Sequence, residues 1–106
     1  MPVYFIKSLT GHIKIGRAAD VARRLVDIQT ANPLPVELLV EIPGDIIEER
    51  LLHTMFDHCH FRGEWYLPSR ELLDFIDDQQ RTVADGGVFT LEAIGATGRD
   101  VEAIYA

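Results

Sequence analysis

Two β-rich runs, Val3-Tyr4-Phe5-Ile6 and His12-Ile13-Lys14-Ile15-Gly16, flank the short stretch Ser8-Leu9-Thr10-Gly11. Glycine at position 11 allows the backbone to turn with positive φ, so the pair reads as a β-hairpin. The rest of the fold has to be built around that hairpin. Asp20 is placed as the N-cap of a helix running to about Thr30, with Val21, Leu25 and Ile28 on one stripe at i, i+4, i+7 spacing. Asn32-Pro33-Leu34-Pro35 breaks that helix, because the residue before a proline avoids the helical region. Val36 to Ile42 has the branched apolar composition of a third strand, ended by Pro43-Gly44. Asp45 and Glu48 form a capping-box pattern for a helix continuing to about His58. Glu64-Trp65-Tyr66 reads as a short extended piece, and Ser69 caps a last amphipathic helix from Arg70 to about Gln80. Leu72, Leu73 and Ile76 are expected to face inward on that helix.

The order β-β-α-β-α-α predicts an α+β domain, a small three-stranded and mainly antiparallel sheet flanked by helices. The domain is expected over residues 1–80. Residues 81–106 form a C-terminal extension that packs on it or mediates self-association, with a turn at Gly86-Gly87, a strand over 88–94 and a short helix over 99–105. A length of 106 residues with 47% hydrophobic content suits one core and leaves no room for two.

The lone cysteine, Cys59, excludes an internal disulfide framework and suits a reducing cytoplasm. Neither a membrane-length apolar run nor a signal-peptide pattern is present, so a cytoplasmic location is expected. Net charge is −7, which by itself argues against nucleic-acid binding. Its distribution is uneven: residues 1–36 carry five basic groups against two acidic, a net of +3, which leaves −10 on the other seventy. Attraction to phosphate would therefore be local, modest and screened by salt.

Val3-Tyr4-Phe5 and Lys14-Ile15-Gly16-Arg17 on paired strands, then Arg24-Leu25 and Ile28-Gln29-Thr30-Ala31-Asn32-Pro33, resemble the GIY-YIG nuclease superfamily in its phage and bacterial branch. So do Glu49 followed by Leu52-His53, and the later Gly63-Glu64-Trp65-Tyr66. Each piece is short, but four in the right order on the expected elements are hard to obtain by chance. The resemblance covers roughly residues 2 to 78 and implies metal-dependent cleavage of a phosphodiester bond in DNA, RNA not being excluded. That chemistry needs an activated water, a Lewis acid and a fixed cation near the phosphoryl oxygens.

Under that resemblance Glu49 is the metal ligand for Mg²⁺ or Mn²⁺, a hard ion that takes carboxylate oxygen and keeps several waters. It lies at the border of the apolar arc of Leu51, Leu52, Met55 and Phe56, where it can point into a cleft; the bland alternative is a solvated glutamate. Arg24 lies about 60° from its helix's stripe and can snorkel onto a phosphate, the alternative being a surface ion pair. Arg23, Arg17 and Lys14 are candidates for backbone phosphate contacts, although for Arg23 and Arg17 a solvated role is the better reading. Tyr4 and Lys14 come from paired strands and can share one face, Tyr4 orienting the attacking water and Lys14 supporting it. Many superfamily members have a second tyrosine at the position of Lys14. Several also carry a histidine one turn after the arginine, where this chain has Ile28. His53, one turn after Glu49, is a substitute or else a partly exposed helix histidine. Glu64 is expected to shape the site from behind or to pair with an arginine, while Trp65 and Tyr66 read as core or rim aromatics. His58-Cys59-His60 does not suit structural zinc, which is usually held by two separated ligand pairs.

Three functions compete: an active endonuclease, a nucleic-acid-binding module without turnover, and a pure interaction domain. No helix-turn-helix, zinc finger or clustered basic arm is legible, so sequence specificity would need a homodimer or a partner DNA-recognition domain. Tyr4, Arg24 and Glu49 together favour the nuclease, because a binder needs no metal carboxylate beside phosphate.

Overall fold

In the computed structural model, which describes residues 1–84 of the chain, β1 (Val3–Ser8) and β2 (Ile13–Arg17) pair antiparallel with Tyr4 opposite Gly16 and Ile6 opposite Lys14. The turn closes through the Ser8 amide on the His12 carbonyl at 2.9 Å, with Gly11 at φ 94°. β3 (Val36–Ile42) pairs with the other side of β1, its register slipping at a bulge between Phe5 and Ile6. Two further short strands, β4 (His60–Arg62) and β5 (Trp65–Tyr66), extend the sheet beyond β2, giving the order β3-β1-β2-β5-β4. The α+β class holds. The sheet has five strands and not the expected three because the added ribbon is too short and polar to show alternation: all three residues of β4 are exposed.

Flanked by β3 and β2, β1 is buried on both faces from Val3 to Ile6, which is why its apolar run is continuous instead of alternating. Tyr4 and Ile6 pack with Ala18 and Val21 under α1 (Val21–Ala31), while Val3 and Phe5 face a larger core. That core is closed by α2 (Ile46–Met55) and α3 (Arg70–Ala84) through Leu51, Leu52, Leu72 and Ile76. Asp20 caps α1 by accepting from the Arg23 amide. The Asn32 amide group donates to the Ile28 carbonyl at the other end, just before Pro33 stops the helix.

Two helix boundaries and one face differ from expectation. The second helix ends at Met55, not near His58, and tightens into a 3-10 turn at Asp57–Cys59, which lets both Phe56 and Cys59 enter the core. The last helix runs past Gln80 to Ala84, and its buried face is Leu72, Phe75, Ile76 and Gln79. Leu73, expected inward, is 43% exposed, since i, i+3, i+4, i+7 from Leu72 selects Phe75 and passes it over. The turn at Gly86-Gly87, the strand over 88–94 and the helix over 99–105 lie outside the described residues. No helix among the described residues is long and apolar enough to cross a membrane.

The capping box on α2 is complete: Asp45 accepts from the first turn, and Glu48 Oε2 accepts the Asp45 amide at 2.7 Å. Asp45→Ala is expected to cost about 1 kcal/mol, a fall in Tm of roughly 4–8 °C for a domain of this size, measurable by thermal melting.

Candidate active site

β5 pairs with β2 only at Ile13 and Lys14, with one further backbone bond from the Ile15 amide to the Glu64 carbonyl at 3.0 Å. Beyond Ile15 the edge of β2 has no strand beside it. At this open edge side chains arrive from three directions. Tyr4 comes from the neighbouring strand, Glu49 and His53 from one flank of α2, and Glu64 from the turn that enters β5.

Glu49, His53 and Glu64 place one ligand atom each within 4.8 Å of one another, the only such acid and histidine grouping capable of holding a metal among the described residues. All three are partly buried. The His53 Nε2 lies 3.0 Å from the Ile15 carbonyl, which can only accept, so Nε2 donates there, and in the neutral tautomer that this bond selects Nδ1 keeps the lone pair. Its ring stacks on Tyr66 at 5.6 Å between centroids. One backbone carbonyl and one aromatic face thus fix both the tautomer and the tilt of the imidazole.

The two carboxylates strain against each other electrostatically. Burial first, and then the charge of Glu64, push the Glu49 carboxyl above its ordinary value, opposed by His53 and Arg17. The Arg17 Nε is 3.6 Å from Glu49 and its Nη1 is 3.3 Å from Asp45. Glu64 is held at 3.6 Å by Lys14, whose ammonium also stands over the Trp65 ring at 5.5 Å. A pair of close acids, one with its carboxyl pushed upward by burial and its neighbour, is an arrangement that a divalent cation would relieve.

Tyr4 is 1% exposed, and its hydroxyl end is seated over Gly16. A Cβ at Gly16 would meet the Tyr4 oxygen at 2.5 Å and ring carbon Cζ at 2.7 Å, with Glu64 Oε2 at 3.2 Å. Burial and then Glu64 raise the Tyr4 pKa, with Arg24 opposing them. The phenol therefore keeps its proton at neutral pH. Tyr66, on the opposite face of the sheet in the larger core, is pushed up to about 12 by burial and then by Asp57 and Glu64.

Of the residues singled out from sequence, Tyr4, Lys14, Glu49, His53 and Glu64 converge. Arg24 stands at the margin, exposed but close enough to act on Tyr4, and has no ion pair among the described residues. Arg23 is exposed on α1. Glu64 was expected behind the site or paired with an arginine; it stands beside Glu49 instead, and its partner is Lys14. Arg17, read as a solvated cation, is the residue that braces Glu49. Sequence reasoning also passed over Gly16 as the seat of Tyr4. The available signal was register, since a hairpin turning at Gly11 puts residues 4 and 16 opposite each other. His58 and His60 turn elsewhere, to Glu71 at 3.8 Å and to the Gly63 carbonyl at 2.7 Å.

A family model described as the T5orf172 domain matches residues 1–80, a span that includes every residue of this cluster. No curated protein and no solved structure matches the chain.

Proposed function

The chain belongs to the T5orf172 domain family, and on that premise we propose that it is a metal-dependent endonuclease of the GIY-YIG type acting on DNA. The observation that carries the reading is the meeting of Glu49, His53 and Glu64 beside the buried Tyr4 hydroxyl at the open edge of β2.

The donor set of two carboxylates and one imidazole with a free Nδ1 fits a divalent ion such as Mg²⁺ or Mn²⁺. Glu49 would be its main ligand, and Glu64 and His53 would complete the set. Bound there, the ion would supply Lewis acidity at a phosphoryl oxygen. The protein does the rest. Tyr4, protonated and immobile over Gly16, orients the attacking water through its hydroxyl. Lys14, on the same face of the hairpin, adds positive charge beside the developing phosphorane, and Arg24 at the rim holds a non-bridging oxygen. The water oxygen bonds to phosphorus and gives up a proton to bulk solvent, the P–O bond to the leaving strand breaks, and the departing oxygen takes up a proton in turn. Arg23, exposed on α1, contributes contacts to the phosphate backbone.

Nicking of supercoiled plasmid in Mg²⁺ or Mn²⁺, abolished by chelator, is the test. A folded protein inert on both plasmid and single-stranded DNA in either metal would sink the reading. A non-cleaving nucleic-acid-binding module is then the alternative, favoured by the ion pairs that engage Lys14 and Arg17. It predicts salt-sensitive binding without turnover.

A pH dependence follows from Glu49. A metal ligand must shed its proton first, and this carboxyl gives up its proton only above the ordinary range. Affinity for Mn²⁺ is therefore expected to fall, on acidification, at a pH where an unperturbed glutamate would still be ionised. Glu64→Gln removes the neighbouring like charge and should move that midpoint to lower pH, even as it weakens binding. Calorimetric titration across a pH series measures both.

A further inference from the structure

Along the same face of β2, toward the hairpin turn, the structure holds a concave pocket of about 320 Å³ that the proposed chemistry does not use. Phe61, Trp65, His12 and Leu34 line it, with Ser8, Thr10 and Asn32 adding polar groups. That volume falls at the low end of small-molecule pockets, about 300–1,000 Å³. Its aromatics are unusually placed. Phe61 is 56% exposed, and the His12 ring lies against it at 4.6 Å between centroids. Flat, exposed rings beside an open cavity are the surfaces on which unpaired bases stack.

The pocket neighbours the candidate active site through one side chain. Trp65 links the two, lining the cavity while the Lys14 ammonium stands over its ring and reaches Glu64. Lys14 and Gly16 share one face of β2, because side chains alternate along a strand, and His12 stands just before its first residue. From His12 to Gly16 is roughly 14 Å along the strand, the rise of about four stacked nucleotides and fewer of an extended strand. Hydrogen-bonding capacity sits where a base edge would lie. The Thr10 hydroxyl bonds His12 Nδ1 at 2.7 Å and so leaves the His12 Nε2 unused. Asn32, whose amide nitrogen is spent on the Ile28 carbonyl, retains its side-chain oxygen as an acceptor.

We infer that the Phe61–Trp65–His12 pocket takes an unpaired nucleobase of the substrate strand a few nucleotides from the scissile phosphate. This rests on the nuclease reading and sharpens it: the substrate is single-stranded DNA, or duplex with a base displaced from the stack. Bases inside an intact duplex cannot enter a cavity of this shape without being extruded.

Trp65 is the chain's single tryptophan, so its emission reports on the pocket directly. The experiment titrates the full chain, in chelator so that nothing is cut, with three probes. These are an oligothymidylate of about ten nucleotides, an abasic strand of the same length and phosphate count, and a blunt duplex. Oligothymidylate should quench Trp65, and the abasic strand and the duplex should each bind about tenfold more weakly. Phe61→Ala should lose a similar factor on oligothymidylate alone, and Phe61→Tyr should restore it. Equal binding of the abasic and base-bearing strands overturns the inference, as does absence of quenching by every probe or an unchanged affinity in Phe61→Ala. Plasmid nicking in Mn²⁺ is run in parallel. Base-dependent binding without nicking supports the pocket and removes the nuclease, whereas nicking with base-independent binding keeps the nuclease and overturns the pocket.

Discussion

Glu49→Ala is expected to remove metal-dependent strand cleavage while leaving the fold in place. Glu49 is the one carboxylate of the cluster carried on a regular helix and braced by an arginine at 3.6 Å. Without it His53 and Glu64 alone would have to hold the ion. Losing the main ligand forfeits most of the charge stabilisation that metal-assisted hydrolysis relies on, so a drop of about 10³-fold or more is expected, several kcal/mol of barrier. Stability should barely move, because Leu51 and Leu52 on the same helix keep their core contacts and Arg17 keeps Asp45 as a partner. Plasmid nicking and thermal melting, run side by side, measure the two effects. Wild-type activity in Glu49→Ala would remove this residue from the centre of the site.

Gly16→Ala should damage both stability and activity. The added methyl would come within 2.5 Å of the Tyr4 hydroxyl, a distance no real contact tolerates. Tyr4 has little freedom to retreat, since it is 1% exposed between β1 and α1. Overpacking of this kind costs about 1–3 kcal/mol, a Tm loss of roughly 4–8 °C per kcal/mol. The displaced phenol would no longer sit where it orients water, and cleavage should fall about 10²-fold, as when a single transition-state donor is removed. Tyr4→Phe in the same chain would not restore stability, because ring carbon Cζ is itself only 2.7 Å from the new methyl. A Gly16→Ala variant with wild-type melting and rate would show that Tyr4 does not need its seat.

What the sequence made legible was local. The hairpin, the Asp20 and Asp45 caps and the proline stop after α1 are each decided by residues within a few positions of one another, and the structure has them where expected. The expected one-face placement of Tyr4 and Lys14 follows from the same local register, and the structure agrees. What escaped depended on distant pairing. Nothing near Glu64 announces that its two-residue strand will dock on β2 and bring it to within a few ångström of Glu49, fifteen positions earlier. Arg17 looks solvated until α2 is packed beside β2, when Asp45 and Glu49 turn out to be its partners. Leu73 was misplaced for a different reason. Three apolar residues within five positions allow two helical faces, and only the sheet behind them selects the one holding Phe75.

The strand order β3-β1-β2-β5-β4 also bears on the timing of biosynthesis. Chain growth delivers the hairpin, the first two helices and the third strand before the ribbon that carries Glu64. A nascent chain arrested before residue 60 would hold Tyr4, Arg24, Glu49 and His53, yet lack both the second carboxylate and the aromatic wall at Trp65. On the proposed reading, a chain made in that order would hold no complete metal site until the ribbon at the far edge of its sheet has been made.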